Sequence, residues 1–436
     1  MKRLLSLFMG ISILLTSCTL PQTVQIESSE QLGQLNHQEN IENLGQENNE
    51  DLEQSESQEQ LEELEKYRTL LSPDNELSIV RKPSPADYSY YHGKLTELPS
   101  GMEQGDLRSS DLSGIDLKDK FEYLINSDFD SKTKWPDKLP DGFDPELIIE
   151  LGKNPGLGVK ELHKRGITGK GVGIAIIDQA LLVDHVEYKA QLKLYEEIHC
   201  IDNEAAMHGP AVASIAVGKT VGVAPEADLY YIAETHGVFE NGKFQWDLTW
   251  LAKSIDRIIE VNKRLPEGEK IRVISISLGM SDKGFNGYEK ALESAEKARQ
   301  EGIYTVYVNT DLFMGLGRDP LENPDDINSY SKGKYWSSDR YPYNNDKLLV
   351  PMDSRCTASP TGTEDYVFYR EGGISWAVPY VAGLYALACQ VNPDITPEVF
   401  WREAYNTSET ITINDNQELG KIVNPVKLIE RIEELK

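Results

Sequence analysis

The sequence predicts an α/β fold, a three-layer sandwich around a parallel central sheet, preceded by a disordered tether and a small N-terminal extension. From Leu151 onward, apolar runs rich in β-branched residues alternate with segments of helical periodicity, which indicates parallel βαβ units. From Thr19 to Lys66, in contrast, Gln, Glu, Asn and Ser dominate and there is no Phe, Trp or Tyr. Such a segment cannot bury enough apolar surface to offset its ordering entropy.

The N-terminus has a basic pair followed by an apolar run, Leu4 to Leu15, which is too short to span a bilayer comfortably. Two small residues then precede Cys18, which resembles a bacterial lipobox, where the peptide is cut before the Cys and the Cys receives a lipid. We therefore expect residues 1–17 to be a lipoprotein signal peptide and residues 18–66 to be the lipidated Cys18 with its acidic tether. The protein would then be extracytoplasmic and anchored to a bacterial cell membrane.

The charge of the chain limits its partners. Asp and Glu number 72 against 44 Lys and Arg, which gives a formal net charge of −28. We expect no nucleic-acid partner, because a phosphate-binding surface needs Lys and Arg to neutralise it.

We predict no cofactor and no metal site. Beyond Cys18, three cysteines remain, and an odd count without a CxxC pair favours buried small side chains over a disulfide framework or zinc. His185 and His199 lack metal-ligand spacing and are predicted to be surface loop residues. One acidic loop offers the oxygens that Ca²⁺ prefers, but it lacks an EF-hand pattern, so a solvated loop is the favoured interpretation. The acidic residues of this loop are Asp319, Glu322, Asp325 and Asp326.

The extension, residues 67–150, contains the dipeptide Asp-Leu three times at five-residue spacing, beginning at Asp106, Asp111 and Asp116. Three copies are too few for a free-standing solenoid, so the repeat is either one short coil packed on the main domain or chance. The extension itself is either a propeptide or a packing region.

Residues 151–436 are predicted to form the main α/β domain. The predicted strands are Val172–Ile177, Leu229–Ile232, Val273–Ile276 and Ile303–Val308. The predicted helices between them are Ala211–Val217, Leu248–Val261 and Tyr288–Arg299. In sheets of this kind, reactive groups collect at the carboxyl ends of the strands.

Three polar residues have the types and positions that nucleophilic catalysis needs. Asp178 directly follows the first buried strand, His208 opens a short apolar helix, and Ser375 lies in a Gly-rich turn before another apolar helix. Serine is a weak nucleophile that requires a base such as His208. A carboxylate such as that of Asp178 fixes the tautomer of the base and stabilises the imidazolium.

The residues around these three positions carry a resemblance to a known family. The strand before Asp178 reads VGIAIID, the segment from His208 reads HGPAVASIA, and the turn around Ser375 reads GISWAVPYVAG. A GVAPEA block follows the second motif, and SLG ends a predicted strand. In their order along the chain, with the Ser375 turn last, and over roughly residues 151–426, the blocks resemble the subtilisin-like serine proteases, the subtilases.

The resemblance implies a serine endopeptidase that hydrolyses a protein or peptide substrate through an acyl-enzyme, with Asp178, His208 and Ser375 as its catalytic triad. It also implies that the SLG segment binds the extended substrate as an added strand. The substrate-binding residues are then Ser277, Leu278 and Gly279.

Family members place an Asn side chain in the oxyanion hole after the strand that corresponds to Ile303–Val308. Both Asn309 and Asp311 are candidates for that position in this chain. A carboxylate there would repel the developing negative charge, whereas Asn309 supplies the donor, so we favour Asn309.

The flanks of all three motifs depart from the family pattern, for example at Gln179, Pro210 and Trp376. These departures leave a second hypothesis open, a catalytically impaired pseudoprotease that acts as a peptide-binding or scaffold module. An esterase of the α/β-hydrolase type is not expected, because no GxSxG elbow surrounds Ser375 and the order of the triad differs.

Overall fold

The computed structural model describes residues 66–74, 76–87, 93–99, 104–240, 243–280, 283–334, 346–413 and 417–436. The predicted signal peptide, Cys18 and the tether up to Glu65 lie outside the described residues.

Strands occur from Arg68 to Ile422 among the described residues. In chain order they are β1 (Arg68–Leu70), β2 (Gly105–Asp106), β3 (Ser127–Asp130), β4 (Gly173–Asp178), β5 (Leu192–Cys200), β6 (Asp228–Ala233), β7 (Gly237–Glu240), β8 (Lys243–Trp246), β9 (Ile271–Gly279), β10 (Tyr304–Val308), β11 (Phe313–Arg318), β12 (Tyr330–Lys332), β13 (Leu348–Pro351), β14 (Arg355–Ala358), β15 (Tyr366–Tyr369), β16 (Glu409–Ile413) and β17 (Gln417–Ile422).

The helices are α1 (Phe121–Ile125), α2 (Pro145–Lys153), α3 (Val159–Lys164), α4 (His208–Val217), α5 (Thr249–Arg264), α6 (Tyr288–Gln300), α7 (Ala377–Val391), α8 (Pro397–Thr407) and α9 (Pro425–Glu434). Short 3₁₀ turns cover Glu267–Glu269, Ile327–Ser329 and Ile374–Trp376. The strands and helices predicted from the sequence are all present, and their ends differ from the prediction by at most three residues.

The central sheet has the order β1-β5-β6-β4-β9-β10, and its strands are parallel except β1, which pairs antiparallel with β5. All of β4 is buried, as expected for a strand that is covered on both faces. Ala175 and Ile177 of this strand pack in one cluster with apolar residues of α5 and α6. On the other face, α4 and α7 contact each other and β4. These layers confirm the predicted sandwich.

A second sheet joins the extension to the main domain, because β3 pairs antiparallel with β15 and places Phe129 opposite Phe368. The leucines of the Asp-Leu repeat, Leu107, Leu112 and Leu117, are fully buried in one cluster with these two rings. The repeat is therefore a short coil packed on the main domain.

Residues 66–436 form one compact unit. Helix α2 runs across the predicted boundary between residues 150 and 151. The domain limits inferred from the sequence stay predictions.

The stretch Ile374–Val391 is long and apolar enough to cross a membrane, with a mean hydropathy of 1.4, but 83% of it is buried inside the protein. It contains α7 and serves here as the core helix of the domain.

Two expectations about buried residues have different outcomes. Cys200, Cys356 and Cys389 are buried, unpaired thiols, as predicted. The prediction for His185 and His199 is wrong, because these side chains are 0% and 3% exposed. His199 lies in a buried strand, β5, whose acidic residues are compensated by arginines from other segments. His185 precedes this strand and is buried with its Nε2 on the carbonyl oxygen of Asp365.

Candidate active site

Asp178 and His208 form a hydrogen-bonded pair at the carboxyl end of the central sheet. The imidazole Nδ1 of His208 lies 2.8 Å from Oδ1 of Asp178, and Gln179 N–H donates to the same oxygen over 2.8 Å. Asp178 is 2% exposed and ends β4, while His208 begins α4. A carboxylate on Nδ1 orients the ring and leaves Nε2 for a second partner.

Gly209 allows this close approach of helix and strand. A Cβ at Gly209 would lie 2.5 Å from the carbonyl oxygen of Gln179 and 2.5 Å from the hydroxyl of Tyr231. Tyr231, which is buried in β6, donates its hydroxyl to the same carbonyl. Only glycine fits at the position after His208, which explains the His-Gly pair in the sequence.

Ser375 lies in the 3₁₀ turn Ile374–Trp376, directly before α7. Gly373 directly precedes this turn and has a φ of 72°, a conformation that residues other than glycine rarely adopt. Ser375 Oγ donates to the carbonyl oxygen of Ser277 over 3.5 Å, and Ser277 Oγ donates to the carbonyl oxygen of Ser375 over 2.9 Å. Ser375 is thus adjacent to the end of β9.

His208 and the serine turn are neighbours in space. The rings of His208 and Trp376 lie with their centroids 5.4 Å apart. Within the part of the chain that the structure describes, no hydrogen bond joins Ser375 to His208. The structure therefore brings the three predicted catalytic residues to one edge of the sheet without the serine–histidine hydrogen bond.

The predicted substrate-binding residues and the oxyanion candidates flank the serine turn. Ser277, Leu278 and Gly279 end β9, and a Cβ on Gly279 would meet nothing within 4 Å, so space is open beside it. Asn309 directly follows β10, which pairs with β9 through Val308 and Gly279.

Asn309 and Asp311 have different surroundings. The side-chain oxygen of Asn309 accepts a hydrogen bond of 3.1 Å from Asp311 N–H. The amide NH₂ of Asn309 is then the group of this side chain that can donate to a ligand. Asp311 is exposed in the turn after Asn309.

Part of the chain matches a known protein family. Residues 169–329 match the model of the subtilase family, peptidase S8. This range belongs to the subtilase family. It contains Asp178, His208 and Asn309, whereas Ser375 lies beyond it. The positions of the site residues derived from the sequence stay predictions.

Curated relatives and one solved structure are similar to larger parts of the chain. The subtilisin-like protease PopC of Myxococcus xanthus is 25% identical over 55% of this chain and 56% of the relative. The subtilisin-like protease 2 of Arthroderma otae is 26% identical over 50% of this chain and 49% of the relative. The chain thus spans about half the length of the curated relatives it matches. The prenylagaramide maturation protease PagA is 16% identical, with a TM-score of 0.44 over 63% of this chain and 98% of that one.

The subtilase domain also contains an acid–base pair that the sequence analysis missed. Glu234 and His236 follow β6, and Glu234 N–H donates to the carbonyl oxygen of Asp178 over 2.8 Å. The buried Glu234 carboxylate binds Nδ1 of His236 and raises the pKa of this imidazole, although burial by itself would lower it. The only signal in the sequence is that both residues follow a buried strand of the parallel sheet.

Three carboxylates of the acidic loop accept hydrogen bonds from backbone N–H groups. Asp319 accepts from Leu321 N–H, Asp325 accepts from Gly158 N–H, and Asp326 accepts from Asn328 N–H. In the described ranges, no three His, Cys, Asp or Glu side chains are grouped so that they could hold a metal ion.

Proposed function

We propose that this chain is a serine endopeptidase with Asp178, His208 and Ser375 as its catalytic triad. The observation that carries the proposal is the 2.8 Å contact between His208 Nδ1 and Asp178 Oδ1 within a subtilase domain. With Nδ1 held by the carboxylate, Nε2 is the atom that takes the proton of Ser375 and returns it to the leaving amine.

In this mechanism, Ser375 Oγ attacks the scissile carbonyl carbon, the acyl-enzyme forms and the amine leaves, and water then releases the acid. The 3.5 Å hydrogen bond of Ser375 Oγ to Ser277 is long, and it is exchanged for one to His208 when substrate binds. Catalytic hydrogen bonds of free enzymes are often long in this way.

The developing oxyanion is stabilised by two donors. The backbone N–H of Ser375 lies in the first turn of a helical segment, where such groups have no partner within the helix. The amide NH₂ of Asn309 is the second donor, because its oxygen is already engaged by Asp311 N–H. The extended substrate pairs with Ser277–Gly279 at the end of β9, where Gly279 leaves space.

One observation favours a second function, a peptide-binding pseudoprotease. Among the described residues, Ser375 Oγ contacts Ser277 instead of His208, and the Trp376 ring lies against His208. A domain of this kind would bind extended peptides at β9 without cleaving them.

Hydrolysis of an internally quenched peptide with both termini blocked tests the proposal, because only an endopeptidase cleaves such a substrate. We expect cleavage by the full chain and a loss of about 10⁶-fold in kcat for Ser375→Ala. Ser113→Ala, which changes an exposed loop serine, is the matched control and retains activity. Binding of the peptide without cleavage would favour the pseudoprotease instead.

We also propose that Cys18 carries a lipid that anchors the protein outside the cell membrane. The support is the sequence pattern before Cys18. In detergent phase separation, the protein from the native host should enter the detergent phase, and the Cys18→Ser variant should stay in the aqueous phase. Equal partitioning of both proteins would contradict the anchor.

A further inference from the structure

A basic pocket lies beside the turn that carries Ser375. Its volume is about 220 Å³, and it is formed at the end of β11 and along β12. Its charged lining residues are Arg318, Lys332, Lys334, Arg370, Asp319 and Asp353. Lys334 already pairs with the carboxylate of Glu371. Three further cations, Arg318, Lys332 and Arg370, therefore accompany two carboxylates, in a chain whose net charge is −28. A local positive excess in so acidic a chain indicates a site for an anion.

The two carboxylates of the pocket are already engaged. Asp353 is 3% exposed, its Oδ1 accepts from Gly372 N–H and its Oδ2 accepts from Lys334 N–H, each over 2.9 Å. Burial raises the pKa of Asp353 to about 6, so part of its charge is lost in mildly acidic solution. Asp319 is exposed and accepts from Leu321 N–H.

The two arginines, in contrast, have no carboxylate partner within the described part of the chain. Arg318 is 3% exposed and donates to backbone carbonyl oxygens, including that of Ser354 over 3.0 Å. Arg370 donates to the carbonyl oxygen of Arg318 over 3.3 Å, while its Nε is buried without a partner. Both Nη atoms of Arg318 are engaged by backbone carbonyls, so Arg318 forms the pocket wall. The guanidinium of Arg370 is the donor group that a planar, doubly accepting anion fits.

The pocket is attached to the active site through Asp353. The Asp353 side chain accepts a hydrogen bond from Gly372 N–H. Gly372 precedes Ser375 by three residues, so the Cα atoms of Gly372 and Ser375 are at most about 11 Å apart. An extended peptide covers such a distance with about three or four residues. A substrate residue three or four positions from the scissile bond is therefore within reach of Gly372, beside which Asp353 lines the pocket.

We propose that the pocket binds a carboxylate of the peptide substrate, so that this domain prefers substrates with Asp or Glu close to the scissile bond. The inference rests on the proposed peptidase function and specifies its substrate class. Arg370 is then a specificity-determining residue, and Arg318 holds the pocket wall in place.

The test uses quenched peptides, blocked at both termini, that carry Glu or Gln at each position on either side of one scissile bond. We expect kcat/KM for Glu to exceed that for Gln by at least about tenfold at one position, because hydrogen bonds to a charged group discriminate on this scale. The ratio should decrease as salt is added. A free C-terminus in place of the blocked one shows whether the preferred carboxylate is a side chain or a terminus.

Variants assign the preference to the pocket. In Arg370→Gln the Glu/Gln ratio should fall to about one, and in Arg370→Glu it should fall below one. The ratio of two peptides on one variant does not depend on the folded fraction, so it separates specificity from stability. Arg402→Gln removes a guanidinium from an exposed helix position and should leave the ratio unchanged.

Failure of this inference is distinguishable from failure of the peptidase function. Cleavage of Glu and Gln peptides at equal rates at every position would overturn the acidic preference and leave the peptidase intact. If no peptide is cleaved, the affinities of the same peptides for the Ser375→Ala variant show whether the pocket binds a carboxylate. Tighter binding of the Glu peptide would then support the pocket in a non-catalytic domain, and equal binding would overturn it.

Discussion

The two edges of the central sheet end in different ways. At one edge, β5 is covered by residues 68–84, because β1 pairs with it and Ile79 bridges to Tyr195. Ser84 bridges to Glu204, just beyond the strand. At the other edge, β10 is the last strand, and its carboxyl end leads to Asn309 beside the serine turn. The first edge is closed by structure, and we call it the closed edge. The proposed chemistry lies along the carboxyl ends of β4, β9 and β10, which we call the open edge.

The closed edge depends on buried charge. Glu197 in β5 is 0% exposed and accepts from Arg68 Nε over 3.0 Å, Arg81 Nε over 2.6 Å and the Tyr195 hydroxyl over 3.0 Å. Loss of the arginines would leave this carboxylate buried and uncompensated, which is strongly destabilising. The comparison teaches that the segment before residue 88 stabilises the fold, whereas the residues at the open edge are those of the proposed reaction.

The largest effect on kcat among these variants should come from Asp178→Asn. This substitution removes the carboxylate beside His208 and leaves the closed edge intact. An amide no longer holds His208 in the tautomer that a general base needs, so we expect kcat to fall about 10⁴-fold. Peptide hydrolysis and circular dichroism check the rate and the fold. The exposed Asp184→Asn is the control, and equal rates for both variants would contradict the assignment of Asp178.

Asn309→Ala should lower kcat by about 10²- to 10³-fold, the cost of one oxyanion donor. Asp311→Ala should change kcat only a few-fold, since its exposed carboxylate is not at the strand end. The pair sharpens the description of the open edge. A large loss for Asp311→Ala with none for Asn309→Ala would move the functional position to residue 311.

Glu197→Gln should lower the free energy of unfolding by about 3 kcal/mol, the lower end of the range for breaking a buried ion pair, because both arginines keep some contact with water. Chemical denaturation measures this value. Lys82 lies in the same N-terminal segment as Arg68 and Arg81, and it forms an exposed ion pair with Asp184. Lys82→Gln breaks this pair and should lower the free energy of unfolding by less than about 1 kcal/mol. Equal losses in the two variants would mean that buried charge does not hold this edge.

The smallest effect, expressed per pH unit, concerns His199, which is stacked between Tyr67 and Trp250 with ring centroids 3.9 and 4.1 Å away. Burial lowers the pKa of His199 to about 4, below its unfolded value of about 6.5. The unfolded chain binds more protons in this window, so stability is complete above about pH 6.5 and is lost as the pH falls towards 4, with a slope of at most about 1.4 kcal/mol per pH unit.

His199→Phe keeps the stacking but removes the proton, so the fall in stability between these pH values should become shallower. Denaturation at several pH values provides the comparison. An unchanged slope would show that His199 does not control the acid sensitivity of the closed edge.

The open edge could be predicted well from the sequence because its residues are tied to local patterns. Asp178 ends a run of buried β-branched residues, His208 begins an apolar helix, and Ser375 follows a glycine pair. In a parallel sheet, the ends of such strands meet at one edge, so order along the chain predicts proximity.

The closed edge and the basic pocket could not be predicted in the same way. Glu196 and Glu197 have the composition of an exposed segment, and only their partners Arg257, Arg68 and Arg81, which are distant in sequence, make them buried. Single-sequence patterns do not report such long-range pairs. For the same reason, the buried positions of His185 and His199 were not anticipated.

The most direct test of the central claim is labelling of the full chain with a fluorophosphonate, which reacts with an activated serine and releases fluoride. We predict that the parent protein is labelled at Ser375 and that Ser375→Ala and His208→Ala are not. A folded parent that stays unlabelled, both before and after limited proteolysis of residues 67–150, would contradict the claim that this site contains an activated serine.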